Sequence, residues 1–249
     1  MHKDPGMHRD DVIKTMRRWR NERPEYWVFA DDMYNWTNTR EKRELVLLFS
    51  IMAAGKSADR TSDALNYMMH TLPGDTPFDK IRDMVKRQDA LEKLKTFRIG
   101  QHNRILKAFR AIVDFDVDAV PPDPDKLLAI PGIGLKTSRF VSLVYDRTLK
   151  VAVLDTHVLK FLRNRLGIDA PMGTPNSVKI YDRLSKPIIR LAELLGVTCG
   201  DLDIVLWRLG KEGKAHFPDN LMAMELKLDE EKVGAAIQQI TSEFHSQSP

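Results

Sequence analysis

Residues 127–143 read LLAIPGIGLKTSRFVSL. Two glycines bracket one apolar residue, with a proline just before them and a lysine just after. Apolar residues at helical spacing flank the break, so the stretch predicts two helices joined by a tight turn: one over 126–130 and a second from about Leu135. Asp125 is expected to cap the first, with Pro124 setting its approach. Gly132 and Gly134 permit backbone conformations closed to other residues and remove side chains from the turn. Ile133 between them can turn inward and pin the hairpin to a core. A glycine-rich turn running into a helix N-terminus leaves N–H groups pointing outward, which suits a phosphate. A tight helix–helix turn with no ligand accounts for the same residues, and both readings stand at this point.

Lys136 falls in the first turn of the second helix, where the positive end of the helix dipole disfavours a cation. That field favours the neutral amine a nucleophile needs. A surface lysine neutralising a phosphate would occupy the same place. About twenty residues on, the run LKVAVLD (149–155) is the one strand-like segment. It is short and isolated, and reads as a buried extended connection rather than part of a sheet. Asp155 at its end precedes HVLKFLRNRLG, so it stands at a helix start for which Gly167 supplies the stop. Alone, Asp155 is a helix cap. With Lys136 and a phosphate-binding turn in the same fold, it becomes a carboxylate that stabilises positive charge on a sugar while an amine attacks C1′.

The rest of the chain reads as helix. Apolar residues recur at helical spacing in ELVLLFSIMAA, KIRDMVKRQDALEKL, HNRILKAFRAIV and VKIYDRLSKPIIRLAELL. Pro73-Gly74, Pro121-Pro122, Pro131-Gly132 and Pro171 fall between these blocks. The 249 residues allow one large or two small domains. No apolar run approaches the length of a membrane span, and the N-terminus is too polar for a secretory signal. A single cysteine, Cys199, excludes a disulfide framework and a four-cysteine metal or iron–sulfur site within one chain. It is expected to be a buried or a bystander thiol, and an intracellular setting with DNA fits. The net charge of +4 leans only mildly toward polyanions. Local clusters say more: Arg17, Arg18, Arg20 and Arg23, then Arg98, His102, Arg104 and Lys107, each either a DNA-facing patch or a solvated helix face. Trp19, Trp27, Trp36 and Trp207 are expected in packing rather than base stacking.

The stretch from LLAIPGIG through VLDTHVLKFLRNRLG resembles the signature of the helix-hairpin-helix DNA glycosylases (the HhH-GPD superfamily), and most of all its endonuclease III branch. IPGIGLKTS stands where that branch has LPGVGRKTA, and LDTHV where it has VDTH. Upstream, FRIGQHNRILKAFRAIV and LVLLFSIMAAGKSADRTS resemble further family segments; downstream, DLDIVLWRLGKEGK resembles the helix of its W…HG motif. The likeness covers roughly residues 43–167. It implies an all-α, two-domain fold with DNA in a cleft between the domains. Residues 41–165 would form a central helical domain with the hairpin, and residues 1–40 would pack with a C-terminal domain of residues 166–249. Lys136 falls on the Schiff-base lysine of the bifunctional members and Asp155 on the catalytic aspartate. The implied chemistry is base excision followed by strand cleavage through β-elimination, with no metal or redox cofactor in the reaction. Gly132, Ile133, Gly134, Thr137, Arg139, Lys56, Gln101, Arg104 and His157 are expected to face DNA, often in this family with a monovalent cation held by hairpin carbonyls. The expected partner is a double-stranded DNA with a damaged or mismatched base, and the expected state a monomer.

The sequence also departs from the endonuclease III pattern. KEGKAHFPDN stands where the iron–sulfur loop would begin and no cysteine follows Cys199, so no cluster is expected; the C-terminal part must hold by packing, which Leu221, Met222, Met224, Leu226 and Leu228 could supply. Lys56 stands near the position of the glutamine that fills the gap left by a flipped base. Cluster-free members occur among the 8-oxoguanine glycosylases, which share the lysine and the aspartate. Two rival readings remain on sequence alone: a non-catalytic hairpin DNA-binding protein, which would need neither Lys136 nor Asp155, and a relative acting on a modified base outside repair.

Overall fold

A computed structural model describes residues 39–118, 123–214 and 216–246. Among them every regular element is a helix, and the chain forms two compact units. The first holds residues 39–118 and Ile130–Gly132. Its helices are α1 (Arg40–Ala53), α2 (Ala58–Thr71), α3 (Pro77–Lys86), α4 (Ala90–Thr96) and α5 (His102–Ile112). The second unit holds residues 123–129 and the chain from Ile133 onward. Its helices are α6 (Pro124–Leu128), α7 (Leu135–Tyr145), α8 (Thr156–Leu166), α9 (Val178–Leu195), α10 (Cys199–Lys211), α11 (Asp219–Leu226) and α12 (Glu230–His245). The arginine cluster Arg17–Arg23, Trp19, Trp27, Trp36, Pro121 and Pro122 lie outside the described residues, as does the expected packing of residues 1–38 with the C-terminal helices.

Each unit has its own core. In the first, Leu47, Leu48, Ile51, Leu65, Ile81 and Phe109 are fully buried. The α3 N-terminus is fixed with particular care. Thr76 and Asp79 form a capping box, Pro77 sits in the first turn where its missing N–H costs nothing, and the buried Glu44 accepts from Phe78 N at 3.0 Å. The helical pattern over 80–94 is broken into α3 and α4. Arg87 takes extended angles after Lys86 and clamps Asp89 at 2.7 and 2.8 Å, so that carboxylate makes no cap bond to α4.

In the second unit α8 packs on α10, and α12 packs on α9 and α11. Phe161 of α8 meets Phe217 edge to face at 5.2 Å. Arg165 of α8 pairs with Asp219 at the start of α11, 2.7 Å from its Oδ2. α9 keeps Pro187 inside it because its apolar face, with Leu184, Ile188, Leu191 and Leu195, is buried around the missing hydrogen bond. Of the residues expected to replace a cluster by packing, Met222 is fully buried and Met224 is 65% exposed. Trp207 is half-buried, with Lys211 Nζ 4.7 Å above its ring. Cys199 is buried at the first position of α10, as expected, and burial raises its thiol pKa.

Candidate active site

The hairpin forms where the sequence puts it, with two differences in detail. The helix before the turn is capped by Asp123, which accepts from Asp125 N at 2.9 Å, rather than by Asp125. Pro124 explains the shift: it occupies the first helical position, so the cap moves one residue ahead of it and Asp125 falls into the first turn. The two glycines also differ in kind. Gly132 has φ +88°, and a Cβ there would lie 3.1 Å from Ala108 Cβ, so both conformation and space demand glycine. Gly134 is ordinary extended backbone, φ −103° and ψ −179°, and a Cβ there would have no atom of the described residues beyond its chain neighbours within 4 Å. Its missing side chain instead leaves open the approach to the α7 N-terminus. No side chain caps that end and no acid stands in its first turn, so its N–H groups remain for an anion. Ile133 is buried, as its place between the glycines predicts.

Lys136 and Asp155 both lie in the second unit. Lys136 and Thr137 are half-buried in the first turn of α7, and Lys136 Nζ has no hydrogen-bond or ion-pair partner among the described residues. Asp155 is the cap of α8. Its Oδ1 accepts from both His157 N and Val158 N at 2.8 Å, while Oδ2 accepts nothing from the described residues. The cap reading and the catalytic reading therefore draw on different oxygens: Oδ1 fixes the carboxylate, and Oδ2 is the one the catalytic reading would use. The segment before it, 151–155, is extended and unpaired with any strand, with Ala152, Val153 and Leu154 buried, as the sequence predicts.

His157 supplies its backbone N–H to Asp155, while its ring is seated on Gly210 of α10. A Cβ on Gly210 would lie 2.4 Å from His157 Nδ1. This fixes a structural use for the imidazole and a reason for glycine in the WRLG stretch. Arg139 is turned inward. It is 8% exposed, donates to Ser138 Oγ at 3.1 Å and stacks over the Tyr181 ring, so it is not a surface contact for a phosphate. Tyr181 itself carries no sequence signal beyond its place in the apolar stripe of α9.

Lys56, Gln101 and Arg104 come together in the first unit. Lys56 Nζ donates to Met52 O at 3.0 Å and Gly100 O at 3.3 Å, and Arg104 Nη2 donates to Ile51 O at 2.7 Å. Both cations thus satisfy carbonyls left open by the last turn of α1. Gln101, in the left-handed region at φ +51°, accepts from Arg104 Nε at 2.7 Å. No carboxylate bonds to either cation among these contacts. Burial, with the Arg104 charge second, lowers the Lys56 pKa to about 8. Burial lowers that of His102 too, with Lys56 second, and its Nε2 accepts from Gly100 N. Arg104 Nη1 also reaches Gly132 O at 3.3 Å. A monovalent cation at the hairpin would share that carbonyl with a guanidinium the chain already supplies.

Two 8-oxoguanine glycosylase structures resemble this chain along nearly their whole length. The Methanocaldococcus jannaschii 8-oxoguanine glycosylase/lyase, in complex with DNA containing 8-oxoguanine, matches with TM-score 0.55 and 18% identity, over 82% of this chain and 98% of its own. The 8-oxoguanine DNA glycosylase of Thermotoga maritima matches with TM-score 0.54 and 23% identity over the same shares. The chain has the fold of the helix-hairpin-helix DNA glycosylases. An endonuclease III–DNA complex matches at TM-score 0.45 and 17% identity, over 72% of this chain and 77% of its own. No family model and no curated protein matches the sequence. Within this glycosylase fold, no group of three or more metal-ligating acids, histidines or cysteines occurs among the described residues, and none of their helices is long and apolar enough to cross a membrane.

Proposed function

We propose that this protein is a bifunctional DNA glycosylase and AP lyase that removes a damaged base, 8-oxoguanine being the first to test, and then cuts the strand. The observation that carries the reading is the pair in the second unit: an unpartnered Lys136 amine at an uncapped helix start, and an Asp155 carboxylate held by one oxygen and open at the other. Non-catalytic hairpin modules need neither residue. The fold shared with 8-oxoguanine glycosylases supports the same choice.

The target nucleotide must leave the duplex stack before its glycosidic bond can be reached, and a damaged or mispaired base costs less to extrude. The α7 N-terminus and the turn before it would grip a backbone phosphate and set the register. The Lys136 amine attacks C1′ as the glycosidic bond breaks and the base departs with its electron pair. Asp155 stabilises the positive charge that develops on the sugar and takes the proton from the attacking nitrogen. Ring opening gives an imine between Lys136 and C1′. Loss of a C2′ proton then expels the 3′ phosphate, and water hydrolyses the imine to release the enzyme. The residues of this chain supply both steps.

The test is borohydride reduction of the protein mixed with duplex DNA carrying one abasic site, and separately with an 8-oxoguanine duplex. A covalent protein–DNA adduct is expected with both, and Lys136→Ala should give none. A Lys136→Ala variant that is trapped as fast as the parent would remove the lysine from the mechanism. DNA binding without adduct or strand cleavage by the parent would favour the non-catalytic reading.

A further inference from the structure

We propose that Tyr181 is a positioning residue for Asp155, tying the connection that delivers the carboxylate to the helix that carries Lys136. This inference rests on the reaction proposed above and concerns a residue outside it.

Residues 151–155 belong to no helix and pair with no strand, so their buried backbone groups need other partners. Tyr181 provides them with one atom. Its Oη donates to Ala152 O at 3.0 Å and accepts from Leu154 N at 2.9 Å. A hydroxyl can do both at once, and a phenol places it at the end of a rigid, fully buried ring. Burial pushes the phenol's pKa upward, which keeps the proton that the Ala152 carbonyl accepts. Thr174 completes the clamp by donating to Leu154 O at 2.8 Å, so side chains hold both polar groups of the residue just before Asp155. Asp155 N then folds back onto Val153 O at 2.9 Å, and the carboxylate is aimed across the first turn of α8.

The face of the same ring meets α7. Arg139 Cζ lies 5.1 Å from the Tyr181 ring centroid, one helical turn beyond Lys136. Asp125 and Asp182 stand 3.8 and 4.0 Å from Arg139 Nη2 and balance its charge. One side chain therefore touches the helix of the amine with its face and the connection to the carboxylate with its hydroxyl. A small displacement here changes the spacing on which proton transfer between Asp155 and Lys136 depends.

The experiment compares wild type, Tyr181→Phe, Asp155→Asn and the double variant. The readouts are single-turnover borohydride trapping on abasic-site duplex at saturating protein, the Kd for that duplex, and melting. Tyr181→Phe is expected to slow trapping by about 10- to 100-fold, the scale of a misplacement of about 1 Å, with Kd little changed. In the Asp155→Asn background the same substitution should change the rate by less than about twofold, because a residue acting through Asp155 has nothing left to act on. Rates that multiply in the double variant, or a Tyr181→Phe variant as fast as wild type, overturn the proposal. Should Tyr181→Phe not fold, Thr174→Val removes the hydrogen bond to Leu154 O and takes its place in the same comparison. Wild-type protein that forms no adduct overturns the proposed reaction itself, an outcome distinct from a trapping wild type with multiplying variants.

Discussion

At the scale of single residues, Asp155 divides its labour between two oxygens. Oδ1 holds the first turn of α8 through two backbone N–H groups, and the other oxygen is open. Asparagine is as good a helix cap as aspartate but carries no charge. Asp155→Asn should therefore melt within about 1 kcal/mol of the parent, while base excision falls by about 100-fold or more from the loss of charge stabilisation. Asp155→Ala should lose the cap as well, about 1 kcal/mol of further stability. Thermal melts and single-turnover excision separate the two, and an asparagine variant of normal rate would confine Asp155 to capping. Lys56 offers a second test through its lowered pKa. The folded value is about 8 against an ordinary 10.5, so between these the unfolded chain binds more protons, and stability rises with pH across that window. Below about pH 8 both states are protonated and the cost of burying the charge is felt in full. Lys56→Met should abolish this rise in denaturant unfolding followed from pH 7 to 10. Equal slopes in parent and variant would show that the amine is not held as its contacts with Met52 O and Gly100 O indicate.

At the scale of elements, the two hairpin glycines separate what folding needs from what the proposed phosphate grip would need. Gly132→Ala forces a side chain into the left-handed region and against Ala108, so it should cost folding stability, about 1–3 kcal/mol. Gly134→Ala meets nothing among the described residues beyond its chain neighbours and should leave melting nearly unchanged, yet it places a methyl group before the α7 N–H groups and should weaken DNA binding. Equal binding by the Gly134→Ala variant would remove the phosphate from that helix end. Much of this was legible in the sequence. The hairpin, the extended run before Asp155, its cap and the Gly167 stop follow from local rules about glycine, proline and capping. What was not legible depends on partners distant in the chain. Arg139 looks like a surface cation until Tyr181, forty-two positions later, offers it a ring. The sequence does not show that Lys56 and Arg104, read there as DNA-facing cations, also bond the open carbonyls of α1. The break between α3 and α4 is a local exception: Arg87 turns extended and bonds Asp89, which periodicity does not register.

At the scale of the whole molecule, the net charge of +4 and the use of its cations bear on how the proposed enzyme would hold DNA. Arg139 is buried, Arg104 is spent on carbonyls, and Arg147 and Arg165 are paired with Asp201 and Asp219. Such cations neutralise few phosphates. Grip by backbone N–H groups at the α7 N-terminus uses dipoles rather than full charges, so it displaces few counterions. Binding should accordingly have a shallow salt dependence. If about three to four phosphates are neutralised, log K falls against log salt with a slope of about −3, and affinity drops about 100-fold between 50 and 200 mM. Fluorescence anisotropy on an abasic duplex over that range measures the slope. A value steeper than about −6 would mean that cations beyond those described here carry the interaction, with the cluster of Arg17, Arg18, Arg20 and Arg23 the first to replace by alanine. A shallow slope that Gly134→Ala weakens in affinity but leaves unchanged in steepness would place the grip on the helix end itself, since a methyl group blocks N–H dipoles without removing any charge.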